Sequence, residues 1–427
     1  MSSIIELGEV GEQSTPVRPA RRPRAAGRPL RCAAVLLLAL VVLAGATPGP
    51  WRIVTVVPAV SGAAAYLAEG GVFVVDPSTP TGDRYLTAYA QPSPTAGSGV
   101  RRRWQAPLVG VGTYLDVRVE RGLVLLVGVS AAAGVVETTA FDAATGEQRW
   151  QLPGVPLWTS DAALLLMSSL SDGPGVVRRV APDTGRVAWS VPVPPPGEPG
   201  FHGSAAGVDQ VVLVQPTGEV QVHDAGSGRL VSGVDTLPGD RSAVQRAEVV
   251  GDLLLLVSPG STRMVAYELP GLRPRWTAEV PLVAYALDCG GLLCVVQQTG
   301  GMQTLDPATG LVRWSDPDQD TLADVRQDRL LVLGPDQRYA VRDAATGRAR
   351  VDLGRWDLAP VLRRDDPLIG MRPGDGGRLV VAELDLAAGR PRILDVLPGV
   401  VGGCQAAPPV LLCRRLDGST ALWRLRR

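Results

Sequence analysis

Lysine and asparagine are absent from this chain of 427 residues, so all 42 basic side chains are Arg. Codon bias in a GC-rich genome explains this more simply than a demand for guanidinium chemistry. Histidine occurs twice, and aromatic residues make up 4% of the chain. Neither His202 nor His223 lies near a Cys in sequence, which argues against a metal site of Cys and His ligands. Scarce aromatics argue against a stacking platform for carbohydrate. The formal charge is zero, so no global field points to nucleic acid. No convincing helix pattern appears past residue 50, hence no Gly-rich phosphate loop opens a helix, and no Ser/His/Asp spacing marks a nucleophile. His223 precedes Asp224, but neighbours on a strand point to opposite faces, so they make no general-base dyad. His202 follows the Pro-rich stretch Pro194–Pro199 and reads as a surface or turn residue. Asp365-Asp366 reads as a solvated loop. Arg101-Arg102-Arg103 reads as an exposed strand, with Arg102 on the face opposite the other two.

Turn formers are abundant: 50 Gly and 37 Pro, beside 45% hydrophobic residues. That balance is far from a disordered chain. The N-terminus differs. Residues 1–32 carry six Arg against Glu6, Glu9 and Glu12 and lack an apolar period, so they are expected to be a disordered tail. Ala33 to Ala46 is apolar and uncharged, and Pro48-Gly-Pro50 ends it. Residues 33–50 therefore read as an uncleaved transmembrane anchor or, alternatively, a signal-peptide h-region. Either places residues 51–427 outside the cytoplasm, because the Arg cluster favours the inner side. Trp51 and the apolar residues after it extend or anchor that span. Arg21-Arg22 is a weak twin-arginine signal, and Cys32 reads as a free thiol or lipidation candidate.

From Asp142 onward one element recurs: Asp142-Ala-Ala-Thr-Gly146 to Trp150, Asp306-Pro-Ala-Thr-Gly310 to Trp314, Asp343-Ala-Ala-Thr-Gly347 to Val351, and Asp385-Leu-Ala-Ala-Gly389 to Ile393. Such a unit cannot bury its apolar face alone and must stack on copies of itself. Asp accepts hydrogen bonds from amides two or three residues on, and Gly supplies the positive φ that closes the turn. Each unit has an apolar run, a turn, a second strand into the Asp…Gly turn, and a third strand at the Trp position, as in Leu253–Val257, Met264–Tyr267 and Trp276–Val280. The anchors run Trp104, Trp150, Trp189, Ser232, Trp276, Trp314, Val351 and Ile393. Radial repetition of such sheets makes a β-propeller, with indoles bridging neighbouring blades and their N–H groups reaching backbone carbonyls. The Cys pairs Cys289/Cys294 and Cys404/Cys413 fall at corresponding repeat positions, a pattern that reads as disulfide staples formed in an oxidising compartment.

The Asp-x-x-Thr-Gly-x-x-x-Trp element resembles the tryptophan-docking motif of pyrroloquinoline-quinone (PQQ)-like β-propellers over about residues 51–427. The resemblance implies an all-β propeller of four-stranded blades. Eight blades are expected, or nine if the segment from Trp51 joins the C-terminal hairpin as a split blade. It implies a structural docking role for Asp142, Gly146, Trp150, Asp306, Gly310, Trp314, Asp343 and Gly347, and more loosely for Trp104, Trp189 and Trp276. Quinoprotein dehydrogenases of this family carry vicinal Cys, a catalytic Asp and Glu/Asn calcium ligands. Here no Cys are adjacent and Asn is absent. No catalytic, cofactor-binding or metal residue is therefore carried over, and no cofactor is expected. The resemblance is to the non-enzymatic members. It implies a membrane-anchored binding or scaffold module for a protein, peptide or envelope component. The long insertions Gln91–Gly99 and Pro194–Phe201 are candidate contact segments or, equally, linkers. The alternatives are a PQQ-dependent or related oxidoreductase with an altered site, and a sensor that signals through its Arg-rich tail.

Overall fold

The computed structural model describes residues 54–425, apart from 78–82, 92–98, 110–111, 131–133, 171–172, 196–197, 216, 237–245, 258–261, 317–319 and 364. The expected tail and anchor, Cys32, Trp51, most of Gln91–Gly99 and part of Pro194–Phe201 lie outside the described residues.

Nine antiparallel four-stranded sheets follow one another along the chain. Blades 1 to 8 span 64–107, 112–153, 155–193, 200–235, 246–279, 283–315, 321–354 and 357–398, and blade 9 comprises 400–424 with Val54–Val57. In blades 1 to 8 the strands pair in chain order, the first innermost. The second strand of a blade is covered on both faces by its neighbours, so its sequence is a continuous apolar run rather than an alternation. Gly71–Val75 and Leu253–Val257 are buried at every position. The fourth strand is half solvated and alternates, as in Arg273–Glu279.

The core consists of seams between successive blades. Phe73 and Leu86 of blade 1 pack with Val124 and Phe141 of blade 2. Leu255 of blade 5 packs with Leu293 and Val295 of blade 6. Leu412 and Leu422 of blade 9 pack with Val57, Leu67 and Val72, which joins the last blade to the first.

The ring closes through the split blade. Val54–Val57 pairs antiparallel with Thr420–Arg424, Val54 opposite Trp423 and Val57 opposite Thr420. The count is nine blades rather than eight, because the N-terminal strand becomes the outer strand of the last sheet and removes an open edge. Gln405 reinforces the junction: its Oε1 accepts from Leu67 N at 2.7 Å and its Nε2 donates to Ala65 O at 3.0 Å, so one amide acts as a short piece of added strand.

Disulfides join Cys289 to Cys294 and Cys404 to Cys413. The second joins the first and second strands of blade 9, and the first joins the turn after the first strand of blade 6 to its second strand. Replacing either pair with Ala is expected to cost about 2–3 kcal/mol, the chain-entropy value for such short loops. Chemical denaturation of each double variant checks this; no change would mean that the pair leaves the unfolded chain unconstrained.

Candidate functional site

The Asp…Gly turns sit between the third and fourth strands of their blades. Asp142 Oδ1 accepts from Ala144 N and Thr145 N at 3.0 and 2.9 Å, and its Oδ2 accepts from Arg149 Nη2 at 2.9 Å. The Arg149 guanidinium, with the two turn amides, pulls the Asp142 carboxyl down to about 2. Asp306 and Asp343 repeat the arrangement with Arg313 and Arg350. Blade 4 has the same turn in Asp224–Gly228, where Asp224 Oδ1 accepts from Ser227 N at 2.7 Å.

Arg stands seven residues after Asp in these turns because the fourth strand bulges there. Ala140 faces Trp150 while Phe141 faces Gln148, which leaves Arg149 unopposed; Arg313 and Arg350 are skipped in the same way. A bulge inserts one residue and re-aims its side chain, here back toward the Asp. Arg103 is skipped likewise in blade 1. Arg101, Arg102 and Arg103 are consequently all exposed, whereas strict alternation would have turned Arg102 away from the other two.

Each indole lies on the turn of the following blade. Trp104 Nε1 donates to Ala143 O at 3.0 Å, Trp150 to Pro182 O at 2.6 Å, Trp276 to Pro307 O at 2.9 Å and Trp314 to Ala344 O at 2.9 Å. A Cβ built on Gly146 would stand 2.5 Å from the Trp104 ring, and one on Gly310 would stand 2.5 Å from Trp276. Trp189 departs from this pattern. Its ring covers Gly228 but its Nε1 has no acceptor. The equivalent carbonyl, Ala225 O, accepts instead from Arg179 Nη1, which Asp161 holds with two bonds of 3.0 and 2.7 Å. Ser232 replaces an indole by donating to Pro270 O. Ile393 is half exposed because blade 9, whose outer strand comes from the N-terminus, has no Asp…Gly turn to receive it.

His202 is a bridge rather than a turn residue. Its Nδ1 lies 2.6 Å from Asp209 Oδ1 within blade 4, and its Nε2 lies 3.0 Å from Asp252 Oδ1 of blade 5. Carboxylates only accept, so both bonds require the imidazolium. Burial lowers its pKa, but the bonds to Asp209 and Asp252 outweigh that and raise it above the ordinary value. The folded pKa then exceeds the unfolded one. The bridge contributes its full stabilisation below about pH 6.5 and loses it as pH rises through the folded value. An NMR titration of the imidazole should show the raised pKa; a value at or below that of a free His would contradict the bridge. His223 is buried, its Nδ1 3.1 Å from Gly228 O and its Nε2 3.3 Å from Gln221 Oε1.

Between blades 6 and 7 lies a buried ionic cluster. Arg342 Nη2 is 2.6 Å from Asp320 Oδ2 and 3.2 Å from Asp316 Oδ1, and Arg342 Nη1 donates to Gly347 O at 3.0 Å. All three charged side chains are less than a tenth exposed.

A cavity of about 760 Å³ opens at the hub where blades 8, 9, 1 and 2 meet. Its wall includes Glu69, Asp116, Arg118, Glu120, Arg363 and Asp366. Elsewhere the first turn of a blade is short, as at Glu69-Gly70 and Arg121-Gly122, but in blade 8 it runs over 359–368. That loop crosses blade 9, where Pro360 O accepts from Ala406 N at 2.9 Å, and reaches blade 1, where Arg363 Nη2 meets Glu69 Oε1 at 2.8 Å. Asp366 is not merely a solvated acid: its Oδ2 accepts from Arg363 N at 3.0 Å and shapes the loop.

The donor set does not fit the quinone-and-calcium centre of the dehydrogenase branch. The four described cysteines are consumed in two disulfides, and no group of three His, Cys, Asp or Glu among the described residues could hold a metal. The cavity wall also offers no aromatic face for a planar quinone.

The fold and its welds define a nine-bladed propeller of the Trp-docking class. A family profile described as outer membrane protein assembly factor BamB matches residues 173–353. The match spans less than half of the chain, and within it the docking turns resemble those of PQQ-like β-propeller repeat proteins. Among solved structures it is similar to BamB from Moraxella catarrhalis, at 13% identity over 87% of this chain and 97% of that one, TM-score 0.40. It is also similar to the computationally designed Ika8 protein, at 15% identity over 74% and 98%, TM-score 0.47. A third likeness is to the C-terminal WD40 domain of Sif2, at 8% identity over 89% and 100%, TM-score 0.47. A search of curated proteins gives no match.

Proposed function

We propose that this protein is a membrane-anchored, extracytoplasmic scaffold that binds a protein, peptide or envelope component without catalysing a reaction. The observation that carries the reading is the hub: an open, charged cavity walled by loops and by the strand Gly112–Glu120, while the described cysteines are locked in disulfides and the repeat carboxylates are committed to turns. Rigid sheets that present loops are a common way to build a binding surface. The family profile over residues 173–353 bears the name of an assembly factor, which favours a protein partner. Two disulfides favour an oxidising compartment, and the apolar stretch 33–50 behind an Arg-rich tail favours an anchor with its N-terminus inside.

In-cell crosslinking of the full chain, followed by affinity capture, is expected to recover a defined partner. Recovery of the chain alone, or retention of added PQQ and calcium through desalting, would count against the proposal. Protease added outside the cytoplasmic membrane should digest the propeller; protection there would reverse the topology.

A further inference from the structure

We propose that the hub cavity receives an extended peptide segment bearing a guanidinium or ammonium side chain. This rests on the scaffold reading and names the chemistry of its partner. The wall holds four acids, Glu69, Asp116, Glu120 and Asp366, against Arg118 and Arg363. Each Arg is already engaged: Arg118 Nε with Asp116 at 2.8 Å, and Arg363 with Glu69 at 2.8 Å. The lining residues leave two negative charges in surplus, partly offset by Arg121 beside Glu120, in a concavity that concentrates their field. Glu120 is exposed in the cavity wall, yet the surrounding protein partly desolvates it. That burial raises its pKa, Arg118 and Arg121 pull it back, and Glu69 raises it again, leaving it above the ordinary value. Trp158 also donates a hydrogen bond to Glu120, and an arriving cation would further favour its ionised form by Coulomb attraction.

The rest of the wall suits a peptide better than a bare ion. Leu362, Pro408 and Pro409 offer apolar surface for the aliphatic stem of a long cationic side chain. The strand Gly112–Glu120 pairs on one side only, with Leu123–Ser130. Its hub edge is capped at Tyr114 O by Tyr66 Oη and at Gly112 O by Arg84 Nη1. Among the described residues, no side chain of blade 1 caps it from Asp116 to Glu120. An unpaired edge of this kind accepts an extended segment through main-chain hydrogen bonds. The Arg363–Glu69 pair is exposed on both sides. Such pairs contribute little, so an incoming cation can take Glu69 from Arg363.

The test uses the full chain and two fluorescein-labelled octapeptides, one alternating Arg and Val, the other Glu and Val, read by fluorescence anisotropy. The Arg peptide should bind with an affinity that falls as salt rises, and the Glu peptide should not bind. The Glu69→Gln/Glu120→Gln chain should bind the Arg peptide about tenfold more weakly or worse, while the Glu219→Gln/Glu268→Gln chain, changed in blades 4 and 5, should match the parent. No binding to the parent, equal loss in both variants, or no loss in the cavity variant would overturn the proposal. Competition by arginine amide at the peptide's own concentration would make this a small-cation site, which also overturns it. Undiminished capture of a crosslinked partner by the cavity variant would remove this site and leave the scaffold reading standing.

Discussion

Replacing Trp276 by Ala is expected to lower the free energy of unfolding by about 3–5 kcal/mol, the cost of deleting a large buried aromatic. The indole is 9% exposed, lies on Gly310 of the next blade and donates to Pro307 O at 2.9 Å. Its loss removes buried area, opens a cavity between two sheets and leaves that carbonyl without its donor. The reciprocal change, Gly310→Ala, acts from the other side of the weld. Gly310 has φ +71°, and a Cβ there would stand 2.5 Å from the ring. Overpacking and backbone strain together should cost about 2 kcal/mol or more. Because both changes break one contact, the Trp276→Ala/Gly310→Ala chain should lose less than the sum of the two. Urea unfolding of the four chains reads this directly, and strict additivity would mean that indole and turn are not energetically coupled.

Arg342→Met is the second large effect. It leaves Asp316 and Asp320 buried between blades 6 and 7 without their cation, and removing one partner of a buried pair typically costs about 3–5 kcal/mol. Asp320 also holds Gly301, whose N–H donates to Asp320 O at 3.2 Å, so the inter-blade connection loosens with it. Replacing Asp316, Asp320 and Arg342 together by apolar residues of similar volume should recover most of that loss, since it removes every buried charge at once. Thermal unfolding with calorimetry distinguishes the cases. A triple variant no better than Arg342→Met would show that geometry, rather than uncompensated charge, sets the cost.

The all-β class and the welds were legible because they are local and repeated. Asp142, Asp306 and Asp343 sit a fixed distance from their Gly, and the continuous apolar run Leu253–Val257 is what a doubly covered strand requires. The Arg partners were legible too, seven residues after each of these Asp. Strand alternation does not reveal their role, because a bulge turns Arg149, Arg313 and Arg350 back toward their acids. Asp224–Gly228 was missed because it lacks the Thr and its anchor is Ser232. Non-local features could not be read. Nothing near His202 in sequence announces Asp252, fifty residues on in the next blade. Nothing in Arg363 announces Glu69, which ring closure brings to it from the other end of the chain. The hub cavity depends on that same closure, as its wall comes from blades 8, 9, 1 and 2. Blade number was ambiguous because the ninth sheet is assembled from both ends of the propeller, which a count of repeats along the chain does not decide.

Ring closure by the N-terminal strand underlies the blade count, the hub and the binding site proposed there. A crosslink tests it most directly. Val57 and Thr420 face each other across the closing pair, so the Val57→Cys/Thr420→Cys chain, oxidised and digested under non-reducing conditions, should yield a peptide joining positions 57 and 420 within one molecule. A folded chain with both new thiols free, or with the link only between molecules, would contradict the account.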